Sequence, residues 1–191
     1  GLTLYQKNFE NLLIDKKNLS GSLFQNVLFE NMNIKNTQFI GVQFHNVTFK
    51  NSNLTNVDFS GSIMKKITFI DIILSNSTLN HLSGSLLFKN SNLTNVDFSY
   101  SEIDGTLFSN IDLRTSNLSY TIINDSKFID SNLDGLDILD IELKNAFFEN
   151  SNVNNVKIKE SKLTNIQFDE NTIFSSNIRN NIFLSTSFEP L

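Results

Sequence analysis

The sequence predicts an all-β solenoid, in which the chain winds into stacked four-sided coils of about 20 residues. Two observations support this fold class. Large apolar residues recur at every fifth position along nearly the whole chain, and Phe occupies every fourth of these positions. The stretch Asn51–Ser60 also has a near-copy at Asn90–Ser99. Repeats of this kind indicate coils that pack only on their neighbours. We expect a single domain over residues 1–191 with about nine coils of ~20 residues each.

The five-residue spacing defines the structure of each side of a coil. It fits neither the 3.6-residue period of a helix nor the two-residue period of a continuous strand. Three residues that alternate inward, outward and inward would form a short strand, and two further residues would turn a corner. The position two after each apolar centre is often Asn, Gly or Asp, which tolerate a positive φ angle. The position two before it is small or β-branched, typical of an inward residue.

One interior edge is predicted to be a continuous stack of Phe rings, about 4.8 Å apart as neighbouring strands are. The next side has only aliphatic centres, from Ile14 to Ile173. The corner after the Phe side carries Asn or Asp, whose side chains can bond from coil to coil. The ten Phe centres are Phe9, Phe29, Phe49, Phe69, Phe88, Phe108, Phe128, Phe148, Phe168 and Phe188.

Two places depart from the repeat. One spacing of nine residues at Asn80–Leu87 removes one residue from a coil, and the missing apolar centre falls near Ser83 or Gly84. We expect a local irregularity at residues 80–87, such as a bulge, because the Phe spacing then resumes. In the first coil, Lys7 and Lys17 stand at inward positions. Ammonium groups there must reach water, which predicts a frayed end coil.

Composition excludes several functions. The net charge of −5 argues against direct binding of nucleic acid, because such proteins carry a basic surface. With no Cys and two His, we expect no cofactor, metal or catalytic residues, and no His–carboxylate pair is spaced to activate a Ser. No run approaches the roughly 20 apolar residues of a membrane-spanning helix. No signal peptide opens the chain, so the expected location is cytoplasmic.

Several five-residue units carry a family resemblance. Ser91-Asn-Leu-Thr-Asn95, Val96-Asp-Phe-Ser-Tyr100 and Ser131-Asn-Leu-Asp-Gly135 follow the pattern A(D/N)LXX with a central Leu or Phe. The chain thereby resembles the pentapeptide-repeat family over essentially its whole length. This resemblance implies a right-handed quadrilateral β-helix.

For function, the resemblance leaves two hypotheses open. The first is a non-enzymatic solenoid that presents a rigid surface to a protein partner, in a biological role that stays unassigned. The alternative comes from the quinolone-resistance (Qnr) members of the family, which are dimeric rods that mimic duplex DNA and bind DNA gyrase. Qnr-type proteins usually carry projecting loops and a C-terminal helix. Here no insertion is long enough for such a loop, and repeats continue to Phe188, which leaves no residues for the helix. Both observations reduce the support for the gyrase hypothesis.

Each hypothesis has its candidate residues. A partner surface on the outer Phe side would comprise Leu28, Ile70, Leu87, Leu107, Ile129 and Phe147. The acids of a DNA mimic would be Asp58, Asp97 and Asp137 in one column, with Asp140 and Glu160 at its corner. Lys157, Lys159 and Arg179 interrupt that column, and an ordinary solvated surface of mixed charge explains it equally. A homodimer through the C-terminal coil would use Phe174, Ile182 and Leu184.

Overall fold

A computed structural model describes residues 1–172, together with the backbone of residues 177–179 and 182–184. The described chain consists of strands, turns and bends, and its stacked coils form a β-solenoid of about eight turns. The predicted fold class is therefore confirmed. The ninth coil of the prediction falls largely outside the described residues.

The strands are of two lengths. Those of seven or eight residues cross two sides of a coil and the corner between them; they are β1 (Thr3–Glu10), β3 (Leu23–Glu30), β5 (Gln43–Lys50), β6 (Ile63–Ile70) and β7 (Ser83–Lys89). The shorter strands of the first half are β2 (Leu13–Asp15) and β4 (Asn33–Lys35). Those of the second half are β8 (Glu102–Asp104), β9 (Leu107–Ser109), β10 (Ile122–Asn124), β11 (Lys127–Ile129), β12 (Asp137–Leu139), β13 (Glu142–Lys144), β14 (Phe147–Glu149), β15 (Lys157–Lys159), β16 (Lys162–Thr164), β17 (Gln167–Phe168), β18 (Asn177–Arg179) and β19 (Ile182–Leu184).

All pairing between coils is parallel. The strands β1, β3, β5, β6 and β7 pair in that order, and β7 then pairs with both β8 and β9. From there β8, β10, β13, β16 and β19 continue one side, while β9, β11, β14 and β17 continue the Phe side. The partners lie 20 residues apart, as Phe29 and Phe49 do, because each strand meets the same side of the next coil. Across the irregularity they lie 19 apart, as Phe69 and Phe88 do.

The four sides are named here by their inward centres. The Phe side begins at Phe9, the aliphatic side at Ile14, the third side at Leu19, and the fourth side at Leu4 with Phe24 one coil further on. The predicted Phe stack is confirmed from Phe9 to Phe168, with ring centroids 4.7 to 5.5 Å apart. Phe188 lies outside the described residues.

The corners also follow the prediction. Asn and Asp occupy most of the corner positions, and their φ values lie near +50°. Amide ladders form between coils: the Asn90 side chain donates to Asp71 at 3.2 Å, and that of Asn110 donates to Asn90 at 3.1 Å. A further rung joins Asn150 to Asp130.

Buried Ser hydroxyls connect neighbouring coils. The hydroxyl of Ser62 accepts a bond from the Val42 backbone N–H at 3.2 Å and donates to the Phe39 carbonyl at 2.8 Å. Ser77 makes the same pair of bonds to Val57 and Leu54. The inward position two before a centre therefore favours Ser because the hydroxyl satisfies backbone groups that water cannot reach.

The predicted irregularity is a bulge between β6 and β7. Gly84 takes the inward centre position opposite Met64, and the register shifts so that Lys66 has no counterpart in β7. A Cβ on Gly84 would collide with the Met64 carbonyl oxygen, which explains the glycine. At the other departure, Lys7 and Lys17 are exposed and the centres of the first coil are only half-buried, as expected. The coil is not frayed, however, because β1 and β2 pair in register with β3 and β4.

Candidate interaction surfaces

The six apolar residues predicted on the outer Phe side are all half-buried. Leu87 and Leu107 are direct neighbours in the pairing of β7 with β9. Beyond them Lys127 separates Leu107 from Phe147, because these three residues follow one another in register. Of the six apolar residues, Leu87 and Leu107 therefore form an adjacent pair, and Lys127 separates Phe147 from that pair. As a partner surface they remain a prediction.

The acids predicted on the third side lie in one column but do not follow one another directly. Asp58, Thr78, Asp97 and Asn117 are successive partners in register. Neutral residues thus separate the carboxylates. With coils about 4.8 Å apart, acids on alternate coils are about 10 Å apart.

The third acid of this column is neutralised by a cation. The Lys159 ammonium lies 2.8 Å from an Asp137 carboxylate oxygen. Its hydrogen bond lowers the pKa of the Asp137 carboxyl below the usual value, so the ion pair persists at neutral pH. Asp140 and Glu160 lie at the adjacent corner, and both are exposed.

That corner holds a feature which the sequence reasoning missed. Between the third and fourth sides, successive coils place three glycines, then His81, Tyr100 and Tyr120, and then Asp140 and Glu160. We call the last five residues the aromatic–acidic corner. Its three rings are stacked. The ring centroids of His81 and Tyr100 are 5.1 Å apart. Those of Tyr100 and Tyr120 are 4.7 Å apart, and the planes of these two rings are almost parallel.

The two tyrosines are unusual for their backbone. Their φ angles are +59° and +60°, a region that disfavours bulky side chains. Tyr100 is 54% exposed and Tyr120 38% exposed, so neither supplies core packing. The signal in the sequence was the replacement of Asn, Gly or Asp by Tyr at the same corner of two consecutive coils.

Beside the tyrosines the surface forms a shallow groove of about 710 Å³. Its lining is Tyr100, Tyr120, Ile122, Asp140, Ile141, Glu142, Glu160, Ser161 and Lys162. Lys162 is paired with Glu142 at 3.1 Å. The groove thus combines aromatic faces, one exposed Ile and an excess of carboxylates over ammonium groups.

Other kinds of site find little support in the described part of the chain. No group of three or more His, Asp or Glu residues there could hold a metal ion. None of its elements is a helix long and apolar enough to cross a membrane. The side chains of the predicted dimer end, Phe174, Ile182 and Leu184, lie outside the described residues.

Comparisons with known proteins agree with the fold. Residues 107–178 match the family model described as the pentapeptide repeat region, and residues 18–51 match the model of pentapeptide repeats in eight copies. A search of curated protein sequences gives no match.

Two solved structures are similar in architecture. A trypsin-treated variant of QnrB1, a plasmid-mediated fluoroquinolone resistance protein, superposes with a TM-score of 0.61 at 14% identity, covering 93% of this chain and 91% of that one. HetL, a pentapeptide repeat protein involved in heterocyst differentiation regulation from the cyanobacterium Nostoc sp. strain PCC 7120, gives a TM-score of 0.46 at 13% identity, covering 95% of this chain and 85% of that one. At 14% identity, the similarity to QnrB1 concerns the fold alone.

Proposed function

The chain belongs to the pentapeptide-repeat family, and from that premise we propose that it is a non-enzymatic solenoid whose outer surface binds a protein partner. The observation that supports this is the aromatic–acidic corner. Two stacked, exposed tyrosines occupy positive-φ corner positions that this chain fills mostly with Asn, Asp or Gly. Strained backbone at exposed aromatic residues points to a contact surface, since Tyr is enriched where proteins bind each other.

The solenoid suits this role because its surface is rigid. Every coil is held to the next by backbone hydrogen bonds, such as those from Tyr120 N to the Leu139 carbonyl and from Ile122 N to the Ser101 carbonyl. Side chains on this frame are ordered before the partner arrives. Binding then costs less conformational entropy than it would on a mobile loop.

A pull-down with the full chain tests this proposal. The immobilised protein is incubated with a lysate of its source organism, beside the double variant Tyr100→Asn/Tyr120→Asn. Asn is the commonest residue at the positive-φ corners of this chain, so we expect the variant to keep the fold. We expect a partner that the wild type retains and the variant loses. Tyr5→Asn, an exposed Tyr on the first coil, is the matched control and should retain it.

The same experiment tests the predicted outer Phe side. Leu107→Lys and Phe147→Lys place charges in the middle of that side. Loss of the partner in these two variants, with full binding by the tyrosine variant, would assign the contact to the Phe side. Equal retention by all variants would contradict both surfaces.

A gyrase-directed DNA mimic is the second candidate, favoured by the axial alignment of Asp58 and Asp97. DNA carries one charge per 3.4 Å of each strand, whereas these carboxylates are about 10 Å apart, so the charge density is about a third. The assay is inhibition of gyrase supercoiling. It should weaken when Asp58, Asp97 and Asp137 are changed together to Asn. An absence of inhibition at micromolar protein would reject this candidate.

A further inference from the structure

The aromatic stack of the corner ends at an open ring face. Tyr100 is stacked between His81 and Tyr120, whereas Tyr120 is stacked on one side only within the described residues. At the next coil the corner residue is Asp140, which has no ring. Tyr120 lines the groove, and one more planar group could stack on its other face.

The groove beyond this ring is negatively charged. It is lined by three carboxylates, those of Asp140, Glu142 and Glu160, and by the single ammonium of Lys162, so its net charge is −2. Lys162 is held by Glu142, and no ion pair engages Asp140 or Glu160 within residues 1–172. Two carboxylates thus stand near an open aromatic face with hydrogen-bond acceptors to offer.

We propose that this groove binds an arginine side chain of the protein partner, with its guanidinium stacked on Tyr120 and its N–H groups donating to Asp140 and Glu160. The inference rests on the proposed function and specifies the chemistry of the partner. A guanidinium is planar, cationic and carries five donors, so it can satisfy the ring and both carboxylates together. Stacking on an aromatic face adds a cation–π attraction.

The geometry of the coils supports this arrangement. The two tyrosine rings are 4.7 Å apart, which matches the spacing of successive coils. A guanidinium stacked on Tyr120 would lie level with the coil of Asp140, whose carboxylate could accept in the plane of the group. Glu160 follows one coil further, and its longer side chain can reach back.

Other occupants fit less well. A lysine ammonium is a compact, strongly hydrated charge that does not stack. A neutral aromatic ring would desolvate the carboxylates without donating to them. A nucleic acid would be repelled by the same carboxylates.

The experiment uses the full chain with Tyr5→Phe, so that Tyr100 and Tyr120 are the remaining fluorophores of a protein that has three Tyr and no Trp. Their emission is followed while acetylated tetra-arginine amide is added, with tetra-lysine and tetra-citrulline as comparison peptides. We expect tetra-arginine to bind about tenfold or more tightly than tetra-lysine, and tetra-citrulline not to bind measurably. Added salt should weaken binding, because it screens the carboxylates.

Two variants in the same background identify the site. Tyr120→Asn removes the stacking face, and Asp140→Asn/Glu160→Gln removes the charges; each should weaken tetra-arginine binding about tenfold. The matched control is Asp125→Asn/Asp130→Asn, which removes two exposed acids at other corners with φ values of +52° and +53°. It should bind as the parent does.

Several results would overturn the inference. These are equal binding of tetra-lysine and tetra-arginine, measurable binding of tetra-citrulline, unchanged binding by Tyr120→Asn, or equal weakening by the control pair. If the pull-down partner still depends on Tyr100 and Tyr120 in that case, the inference fails while the proposed function stands. Selective binding of tetra-arginine without any captured protein partner would instead count against the proposed function.

Discussion

At the level of single residues, the positive φ of the backbone at the corners determines which side chains are tolerated there. Asn56 and Asn76 adopt φ values of +59° and +57° at little cost, because Asn tolerates the left-handed region. Tyr does not, and each left-handed residue of this kind costs about 1–2 kcal/mol. A stacked ring pair contributes about 0.5–1.5 kcal/mol. The stabilisation from the two ring contacts among His81, Tyr100 and Tyr120 is therefore smaller than the conformational cost of three left-handed corners.

The first prediction concerns these tyrosines. Tyr100→Asn and Tyr120→Asn should leave the melting temperature unchanged or raise it, because each relieves backbone strain. Thermal unfolding followed by circular dichroism measures this. A melting temperature lowered by several degrees in both variants would mean that the stack is structural, and would weaken the argument for a contact surface.

Inward Ser residues act at the same scale. Ser62 is buried, and its hydroxyl bonds one N–H and one carbonyl of the preceding coil. Removing the hydroxyl deletes two buried hydrogen bonds, although the Phe39 carbonyl still accepts from the backbone N–H of Val42. Each lost hydrogen bond costs about 0.5–1.5 kcal/mol.

The second prediction follows from these bonds. Ser62→Ala should lower the free energy of unfolding by about 1–3 kcal/mol. Urea denaturation of both variants measures it, with Ser75→Ala as the control because Ser75 is only half-buried. Equal losses in the two variants would show that the bridging bonds contribute nothing specific.

At the level of elements, the bulge joins two different strand patterns. Before it, β1, β3, β5 and β6 cross two sides as single eight-residue strands; after β7, each strand covers one side. At the bulge, Gly84 lets the β7 backbone approach the Met64 carbonyl oxygen more closely than any Cβ would permit. The bulge thereby keeps the Phe side in register although one residue is missing.

The third prediction tests that close approach. Gly84→Asn should destabilise the protein strongly, because its Cβ cannot be placed without moving β6 or β7. Gly61→Asn is the matched control: it has a φ of +65° and open space around the Cβ position, so it should cost little. Both are measured by urea denaturation. Similar stability of the two variants would contradict the bulge geometry.

At the level of the whole molecule, stability depends on position along the solenoid, because each coil contacts only its neighbours. Phe49 is fully buried between the rings of Phe29 and Phe69, at 4.8 and 5.2 Å. Phe9 has a ring partner on one side only within the described chain, and it is only half-buried. The same side chain should therefore contribute differently at the two places.

The fourth prediction compares them. Phe49→Ala should cost about 3–5 kcal/mol of unfolding free energy through the cavity it leaves, whereas Phe9→Ala should cost clearly less because the first coil can relax around it. Equilibrium denaturation measures both. Equal costs would mean that the first coil is packed as tightly as the centre.

The fifth prediction concerns pH. The hydrogen bond from the Arg114 side chain lowers the pKa of the Asp112 carboxyl, and that from Lys159 lowers the pKa of Asp137. A carboxyl with a depressed folded-state pKa stabilises the protein above the unfolded pKa of about 3.9, and this stabilisation is lost as the pH falls further.

Because both groups are exposed, the effect is small. Asp112→Asn/Asp137→Asn should lose less stability than the wild type between about pH 5 and pH 2 in urea titrations. Identical losses would contradict it.

The sequence alone was sufficient for the fold, and particular residues explain why. The Phe centres from Phe9 to Phe168, the Asn corners and the bulge at Gly84 all lie where the spacing predicts them. In a solenoid each coil repeats the environment of the previous one. A period in the residues therefore translates directly into sides, corners and a core.

The surface was not predictable in the same way. The spacing assigned Leu107 and Phe147 to one outer side, but the pairing of strands put Lys127 between them and left all the predicted apolar residues half-buried. The spacing also assigned two tyrosines to one corner. Their parallel rings and the groove beside them, however, depend on side-chain positions and a positive φ. Inward residues are constrained by packing against every neighbour, whereas the positions of outward side chains depend only on the local backbone and on the side chains beside them. The sequence determined the core of this protein for that reason, and the tertiary structure alone establishes which outward side chains lie together.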